Sequence, residues 1–197
     1  MQLEGQSRRI GAKVPFEMDD YNNLHVTQGG ELAEAALAGR LFYAANQAHV
    51  ETGTTLGNTF LGLAIVNPAD SGKILIVHEF CYALMDSNDA DTELSLACGP
   101  AHSGFAADIT VRCTRHGYKT SSTIADASAT ITGADGYKVK QIATLGTNAT
   151  GDLLTGPCVV NLKGAIILDP GRAVYTDTLL ACGDVMLFSF MWEEIDA

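Results

Sequence analysis

From Gly39 to its carboxyl end the chain is a succession of short apolar, β-branched segments separated by turn residues, and no apolar helical period longer than a few turns interrupts it. TFLGLAIVN (59–67) is followed by the turn residues PADSG (68–72) and then by KILIVHEFCYALM (73–85), the clearest hairpin-like pair in the chain. TELSLACG (92–99), DITVRCT (108–114), YKVKQIATL (137–145), VVNLKGAIIL (159–168), RAVYTDTLL (172–180) and VMLFSFMWEEI (185–195) continue the pattern, with Asp169-Pro170-Gly171 as another turn. Simple alternation places Ile74, Ile76, His78, Phe80 and Tyr82 on one face of the central strand, and Leu75, Val77, Glu79, Cys81 and Ala83 on the other. Both faces are mostly apolar, as in a strand covered on two sides. Residues 114–155 hold twelve serines and threonines, and apart from the strand at 137–145 they read as long exposed loops. The expected fold is all-β: a jelly-roll-like antiparallel β-sandwich with an extended N-terminal arm and one short helix.

Residues 1–38 differ from the rest of the chain. Met1 to Gly30 carries isolated apolar residues among Gln, Asn, Asp and Gly without a period, the pattern of an extended arm. ELAEAALA (31–38) predicts two turns of helix stopped by Gly39, too short to stand without docking. The chain therefore divides into an arm with a short helix (1–38) and a sandwich domain (39–197). At 197 residues it can bury a sizeable core without disulfides.

Charge narrows the partners. With 12 Lys and Arg against 23 Asp and Glu the net charge is -11, and no basic stripe is available to displace counterions from a phosphate backbone. Arg8, Arg9 and Lys13 form the one basic cluster, and it reads as a solvated or partner-docked tail. No run of 18 apolar residues occurs, and the opening residues lack the apolar core of a secretory signal, so neither a membrane nor export is expected. Cys81, Cys98, Cys113, Cys158 and Cys182 are odd in number and fit no zinc spacing; they read as structural thiols of a reducing compartment.

Sites of reaction are hard to find. NPADSGKIL has Gly72-Lys73, but Ile74 stands where a P-loop needs a hydroxyl for magnesium, and a strand follows instead of a helix. His102-Ser103-Gly104 lacks the glycine frame of a nucleophile elbow. DSNDADTE (86–93) gathers Asp86, Asn88 and Asp91, yet Ala90, Thr92 and Ala97 occupy positions a calcium loop needs, which leaves a polar hairpin tip. His25, His49, His78, His102 and His116 show no ligand spacing; His78, in an apolar strand, reads as a core histidine. Glu193 and Glu194 beside Trp192 point to opposite faces of a strand, so they cannot share a substrate, and a solvated strand end is the expectation. No catalytic, cofactor-binding or metal-ligating residue is assigned, and no enzyme activity is expected; a metal-dependent cupin-type enzyme would need the close-set histidines that are missing.

GRLFYAANQ, LAIVNPADSGKILIV, LKGAIILDPGRAVY and SFMWEEI together resemble a family of virion structural proteins of tailed bacteriophages. The resemblance rests on Gly39, Arg40, Phe42, Ala44, Ala45 and Asn46, then on Asn67, Pro68, Ser71, Gly72 and Lys73. Toward the carboxyl end it adds Gly164, Ile166, Leu168, Pro170 and Gly171, and finally Ser189, Phe190, Trp192 and Glu193. About half the chain is covered, residues 100–155 are not, and Asp169 stands where the pattern often has a second proline. The resemblance implies a capsid decoration (cement) protein on the surface of the virion, assembled in the host cytoplasm. Its partners would be the major capsid protein and further copies of itself, most simply as a homotrimer, with the arm clamping capsid subunits. The rival is a fibre or tail head domain that binds a host receptor or glycan, with Tyr118, His116 and Tyr137 as the aromatic contacts.

Overall fold

The computed structural model describes residues 4–6, 13–15, 31–48, 50–52, 62–84, 91–101, 104–127, 136–146, 157–180 and 182–197. Two compact units divide the chain, Met1–Glu34 and Ala35–Ala197. In the first, β1 (Glu4–Gln6) pairs antiparallel with β2 (Lys13–Pro15) as a small ribbon. The helix α1 (Glu31–Leu37) ends in the second unit, where Ala35 is fully buried. Gly39, at φ 64°, donates its N–H to the Ala36 carbonyl, and Arg40 donates to that of Ala35, the left-handed close that glycine permits. The Arg115 guanidinium donates to the Leu37 carbonyl at 2.7 Å, satisfying an orphan acceptor at the negative end of the helix.

The second unit is a β-sandwich. Its strands are β3 (Leu41–Ala45), β4 (Val50–Thr52), β5 (Ala64–Asn67), β6 (Lys73–Leu84), β7 (Thr92–Pro100), β8 (Arg112–Cys113), β9 (Ile124–Asp126), β10 (Tyr137–Leu145), β11 (Cys158–Leu168), β12 (Arg172–Thr178) and β13 (Cys182–Asp196). Sheet one has the order β11-β6-β13-β3-β8, with β4 added on β13; sheet two has β10-β7-β12-β5-β9. Every pairing is antiparallel. Numbering the long strands β3, β5, β6, β7, β10, β11, β12 and β13 from first to eighth, the sheets read 6-3-8-1 and 5-4-7-2. First pairs with eighth, second with seventh, third with sixth and fourth with fifth. This is a long antiparallel ribbon rolled into two sheets, the jelly roll expected from the sequence.

Alternation on β13 is regular: Met186, Phe188, Phe190 and Trp192 are buried, while Leu187, Ser189 and Met191 are only partly covered. The inward residues meet Phe80, Phe42, Leu94, Leu96, Ile65 and Val174 in one core, with Phe80 and Phe190 ring centroids 4.9 Å apart. Truncating such a buried aromatic to alanine costs about 3–5 kcal/mol. On β6 the simple alternation fails. Met191 opposes Glu79 but Trp192 opposes Val77, so an extra residue, His78, is bulged out and the strand changes phase. Leu75, Val77, Phe80 and Leu84 are the buried apolar ones, His78 is buried at the bulge, and Ile74 and Ile76 lie on the opposite face from Phe80. The sequence assignment that grouped Ile74 and Ile76 with Phe80 and Tyr82 is corrected accordingly. A second irregularity faces the first across the pairing. Asn161 opposes Glu79 and Ile166 opposes Val77, and the intervening β11 residues bulge through Lys163 (φ 49°) and Gly164 (φ 72°).

The described part of 114–155 holds a second strand besides the one expected at 137–145. Ile124–Asp126 forms β9 along β5, and Ile109 bridges to Ala125. DITVRCT contributes only that bridge and the two residues of β8, because its pairing with β3 is confined to Phe42 and Tyr43.

Candidate functional site

Some of the residues that carry the family resemblance meet where the turns of the sandwich reach the end of its last strand, while Asn46 is bonded farther up that strand, to Met186 and Phe188. Asn67, fully buried at the end of β5, donates through Nδ2 to the Lys73 carbonyl at 2.7 Å and the Leu168 carbonyl at 2.9 Å. Its Oδ1 accepts from Ser71 Oγ at 2.6 Å, and its backbone carbonyl accepts from Gly171 N–H. One amide thus joins the Pro68–Gly72 turn, the start of β6, the end of β11 and the Asp169-Pro170-Gly171 turn. Gly72 (φ 61°) and Gly171 (φ 80°) supply the left-handed conformations those turns need. Lys73, a phosphate ligand in the rejected P-loop reading, pairs instead with Asp196, and its ammonium holds the Asp196 carboxyl below the usual carboxylate range.

Glu193 and Glu194 do point to opposite faces, but neither is solvated. Both are buried, which overturns the expectation of an exposed strand end. Glu193 accepts from Arg40 Nε at 2.9 Å, and His78 Nε2 lies 3.6 Å from its other oxygen. Arg40 is delivered by the turn at Gly39, so the Gly-Arg pair and the Trp-Glu-Glu end form one unit. Glu194 Oε1 accepts from Ser121 Oγ, from Thr123 Oγ1 at 2.7 Å and from the indole N–H of Trp192 at 3.4 Å. A buried carboxylate is tolerated only when charge or hydrogen bonds replace its water. Here a guanidinium serves one side of the strand and hydroxyls serve the other. Nothing in the sequence around Ser121 or Thr123 signals that they reach a residue about seventy positions away.

Beside these ties lies a small cavity of about 120 Å³, lined in part by Arg40, Lys73, Lys119, Glu194 and Asp196. Arg40 is paired with Glu193 and Lys73 with Asp196, while Glu194 is held by hydroxyls and the indole. Ser121 Oγ donates directly to the Glu194 carboxylate. His78 serves the other face, and its buried Nε2 makes no hydrogen bond. Among the described residues no group of three or more His, Cys, Asp or Glu could hold a metal ion, and no helix is long and apolar enough to cross a membrane. These contacts tie strand ends and turns together.

The three aromatics singled out for ligand contact do not form one site. Tyr118, after β8, is half exposed, with Arg115 stacked 4.1 Å from its ring centroid and Gly39 against its edge. His116 meets Tyr43 edge-on at 6.5 Å. Tyr137 is exposed on β10, an edge strand of the other sheet. Cys81, Cys98, Cys113 and Cys158 are thiols. Burial pushes the Cys98 thiol up to about 11 and Cys81 also upward, the character of packed side chains, not nucleophiles. Asp86, Asn88, Ala90, His25, His49, His102 and Ser103, and the arm residues Arg8 and Arg9, lie outside the described residues. Comparison of the chain with protein-family models, with curated proteins and with solved structures gives no match.

Proposed function

We propose that this protein is a capsid decoration protein of a tailed bacteriophage, which binds the outside of the head and stabilises contacts between major capsid subunits. The observation that carries the reading is the way the family-like segments meet. Arg40 bonds to Glu193 and Glu194, Asn67 bonds to Ser71, Lys73, Leu168 and Gly171, and the Lys73–Asp196 pair links the two sets, although all these residues are distant in sequence. A pattern of turn and strand-end residues is understandable if what the family shares is a rigid building block. The proposal assigns the protein no reaction and no cofactor. It places the protein on the virion surface after assembly in the host cytoplasm, as a homo-oligomer, most simply a trimer, with the residues before the sandwich reaching the major capsid protein. Contacts that exist only in the assembled shell stabilise it by mass action, by about 2.7 kcal/mol at a hundred times the dissociation constant. The net charge of -11 supports a protein partner over packaged nucleic acid.

Deleting residues 1–30 tests this directly. The deletion variant is expected to keep its β-sheet circular dichroism and to lose binding to expanded capsids; unaltered binding would contradict the assigned role. The exposed Tyr118 and Tyr137 favour a second reading, a receptor- or glycan-binding head on a fibre or tail. Glycan binding that disappears in Tyr118→Ala, with the protein located on the tail, would establish it instead.

A further inference from the structure

Charge is spread unevenly over this chain. Its net charge is -11, yet Arg40, Lys73, Arg112, Arg115 and Lys119, five of its twelve Lys and Arg, meet at the edge of sheet one where β8 flanks β3. Three observations join them. Arg40, Lys73 and Lys119 line the cavity of about 120 Å³. Arg115 and Lys119 lie over one Tyr118 ring, 4.1 and 5.7 Å from its centroid, and that ring stands against Gly39, the neighbour of Arg40. Arg112 opposes Tyr43 on β3, and His116 meets the Tyr43 ring edge-on. Arg112 and all of residues 115–120 are exposed.

The fold leaves most of these donors unused. Among the described residues, the Arg112 guanidinium and the Lys119 ammonium form neither an ion pair nor a hydrogen bond. Arg115 gives one N–H to the Leu37 carbonyl. Arg40 uses Nε on Glu193, which leaves both of its Nη groups. Because Glu193 is buried, it holds that guanidinium in place, and a held fork matches the two oxygens of a carboxylate. The acids that line the cavity already have donors. Glu194 is held by Ser121, Thr123 and Trp192, and Asp196 sits on Lys73. Asp196 is the replaceable one, since its side chain is 90% exposed and an ion pair so open to water is weak. It also shows what the spot favours: Lys73, with a smaller contribution from Lys119, keeps this carboxyl ionised below the usual range.

We infer that this edge binds a short acidic segment of a partner protein, with one carboxylate of the segment seated among Arg40, Lys73 and Lys119. Range and charge decide between an acidic segment and a nucleic acid. In physiological salt charges act over about 8 Å, so a segment of a few residues feels this edge and little of the acidic remainder. A phosphate backbone runs past five cations and meets repulsion from the rest of a chain at -11. Tyr118, half exposed beside Arg115 and Lys119, adds a flat apolar surface on which the segment can lie. The inference goes beyond the decoration role and does not depend on it, because the edge belongs to the sandwich and not to the arm.

The probe is a fluorescein-labelled deca-glutamate peptide, titrated with the full chain by fluorescence anisotropy, with deca-glutamine and a ten-nucleotide oligothymidine as comparisons. Wild type is expected to bind deca-glutamate saturably, and about tenfold more weakly when salt is raised from about 0.05 to about 0.5 M. Arg112→Glu and Lys119→Glu alter exposed side chains that bond to nothing in the fold, so both are expected to fold and each to weaken binding by about tenfold. Lys140→Glu makes the same charge change at an exposed position of β10, on the other sheet, and is expected to stay within about twofold of wild type. Asp196→Asn releases Lys73 and is expected to tighten binding several-fold. A wild type that does not bind deca-glutamate overturns the inference, as does equal binding of deca-glutamine or oligothymidine. Lys119→Glu no weaker than Lys140→Glu, or Asp196→Asn no tighter than wild type, overturns the seat in the cavity. Capsid binding, measured in parallel, separates this claim from the decoration role. A chain that binds the peptide and ignores expanded capsids keeps the acidic-segment site and sinks the decoration role; one that binds capsids and not the peptide does the reverse.

Discussion

Replacing Asn67 with alanine removes a fully buried amide whose two donor contacts, at 2.7 and 2.9 Å, saturate the carbonyls of Lys73 and Leu168. Alanine leaves both acceptors short of a partner in a place that water reaches poorly, and each stranded acceptor costs about 1–3 kcal/mol. The Lys73 carbonyl keeps a long contact from Ser71 Oγ at 3.5 Å, so its loss lies at the lower end. The sum is about 3 kcal/mol. For a chain of this size that lowers the melting temperature by roughly 6–12 °C and the urea midpoint by about 1–2 M. Asn67→Asp keeps the shape but turns an oxygen toward two carbonyls, and it is expected to cost at least as much at neutral pH. Ser71→Ala removes the contact to Asn67 Oδ1 and the one accepted from the Lys73 N–H at 3.2 Å, in a partly exposed turn, and is expected to cost about 1–2 kcal/mol. Urea unfolding followed by tryptophan fluorescence suits the comparison, because Trp192 is fully buried and is the sole tryptophan. If Asn67→Ala loses less than about 1 kcal/mol, or no more than Ser71→Ala, the amide does not knit the turns together and the reasoning fails.

Gly39→Ala and Gly72→Ala should separate backbone strain from steric clash. Both positions have left-handed φ, but an added Cβ meets open space at Gly72 and lies 2.0 Å from the Tyr118 ring at Gly39. Gly72→Ala is expected to cost about 1 kcal/mol and Gly39→Ala several times that, with Tyr118→Ala recovering part of the difference in thermal melts. Lys138 lies 3.3 Å from Asp177 and opposes the burial that raises its pKa. Asp177 therefore favours folding most when protonated, and that contribution falls as pH rises through its folded pKa. Lys138→Met should then lower the melting temperature more at pH 7 than at pH 4, and an equal loss at both would contradict it. Burial pushes Tyr82 and Tyr175 up to about 12, so ultraviolet titration should show a late-ionising component that Tyr82→Phe and Tyr175→Phe each reduce. Since the unfolded chain loses those protons near pH 10, stability should fall between pH 10 and 12; a single transition of all six tyrosines near pH 10 would contradict the burial.

Much of the fold is legible in the sequence because strand and turn signals coincide. YKVKQIATL is β10 residue for residue, and Asn67 to Lys73 is a turn between two strands, since proline, glycine and serine stand where its geometry needs them. The helix is read to within one residue because Gly39 stops it. What is lost depends on distant partners. A bulge at His78 flips half of β6, and no local pattern announces it, because both faces of that strand are apolar. Glu193 and Glu194 look like a solvated end because carboxylates usually are. Their burial depends on Arg40, Ser121 and Thr123, which the roll of the ribbon brings in from elsewhere. β9 is missed for a related reason: Ile124-Ala125-Asp126 is too short to carry a period and becomes a strand only beside β5.

The role on the head is tested most directly by counting. Purified virions that contain this protein can be digested and the chain quantified against the major capsid protein by mass spectrometry with labelled peptide standards. A shell component is expected in hundreds of copies per particle, in fixed proportion to the major capsid protein. A dozen copies or fewer would place it at a tail or neck and contradict the account.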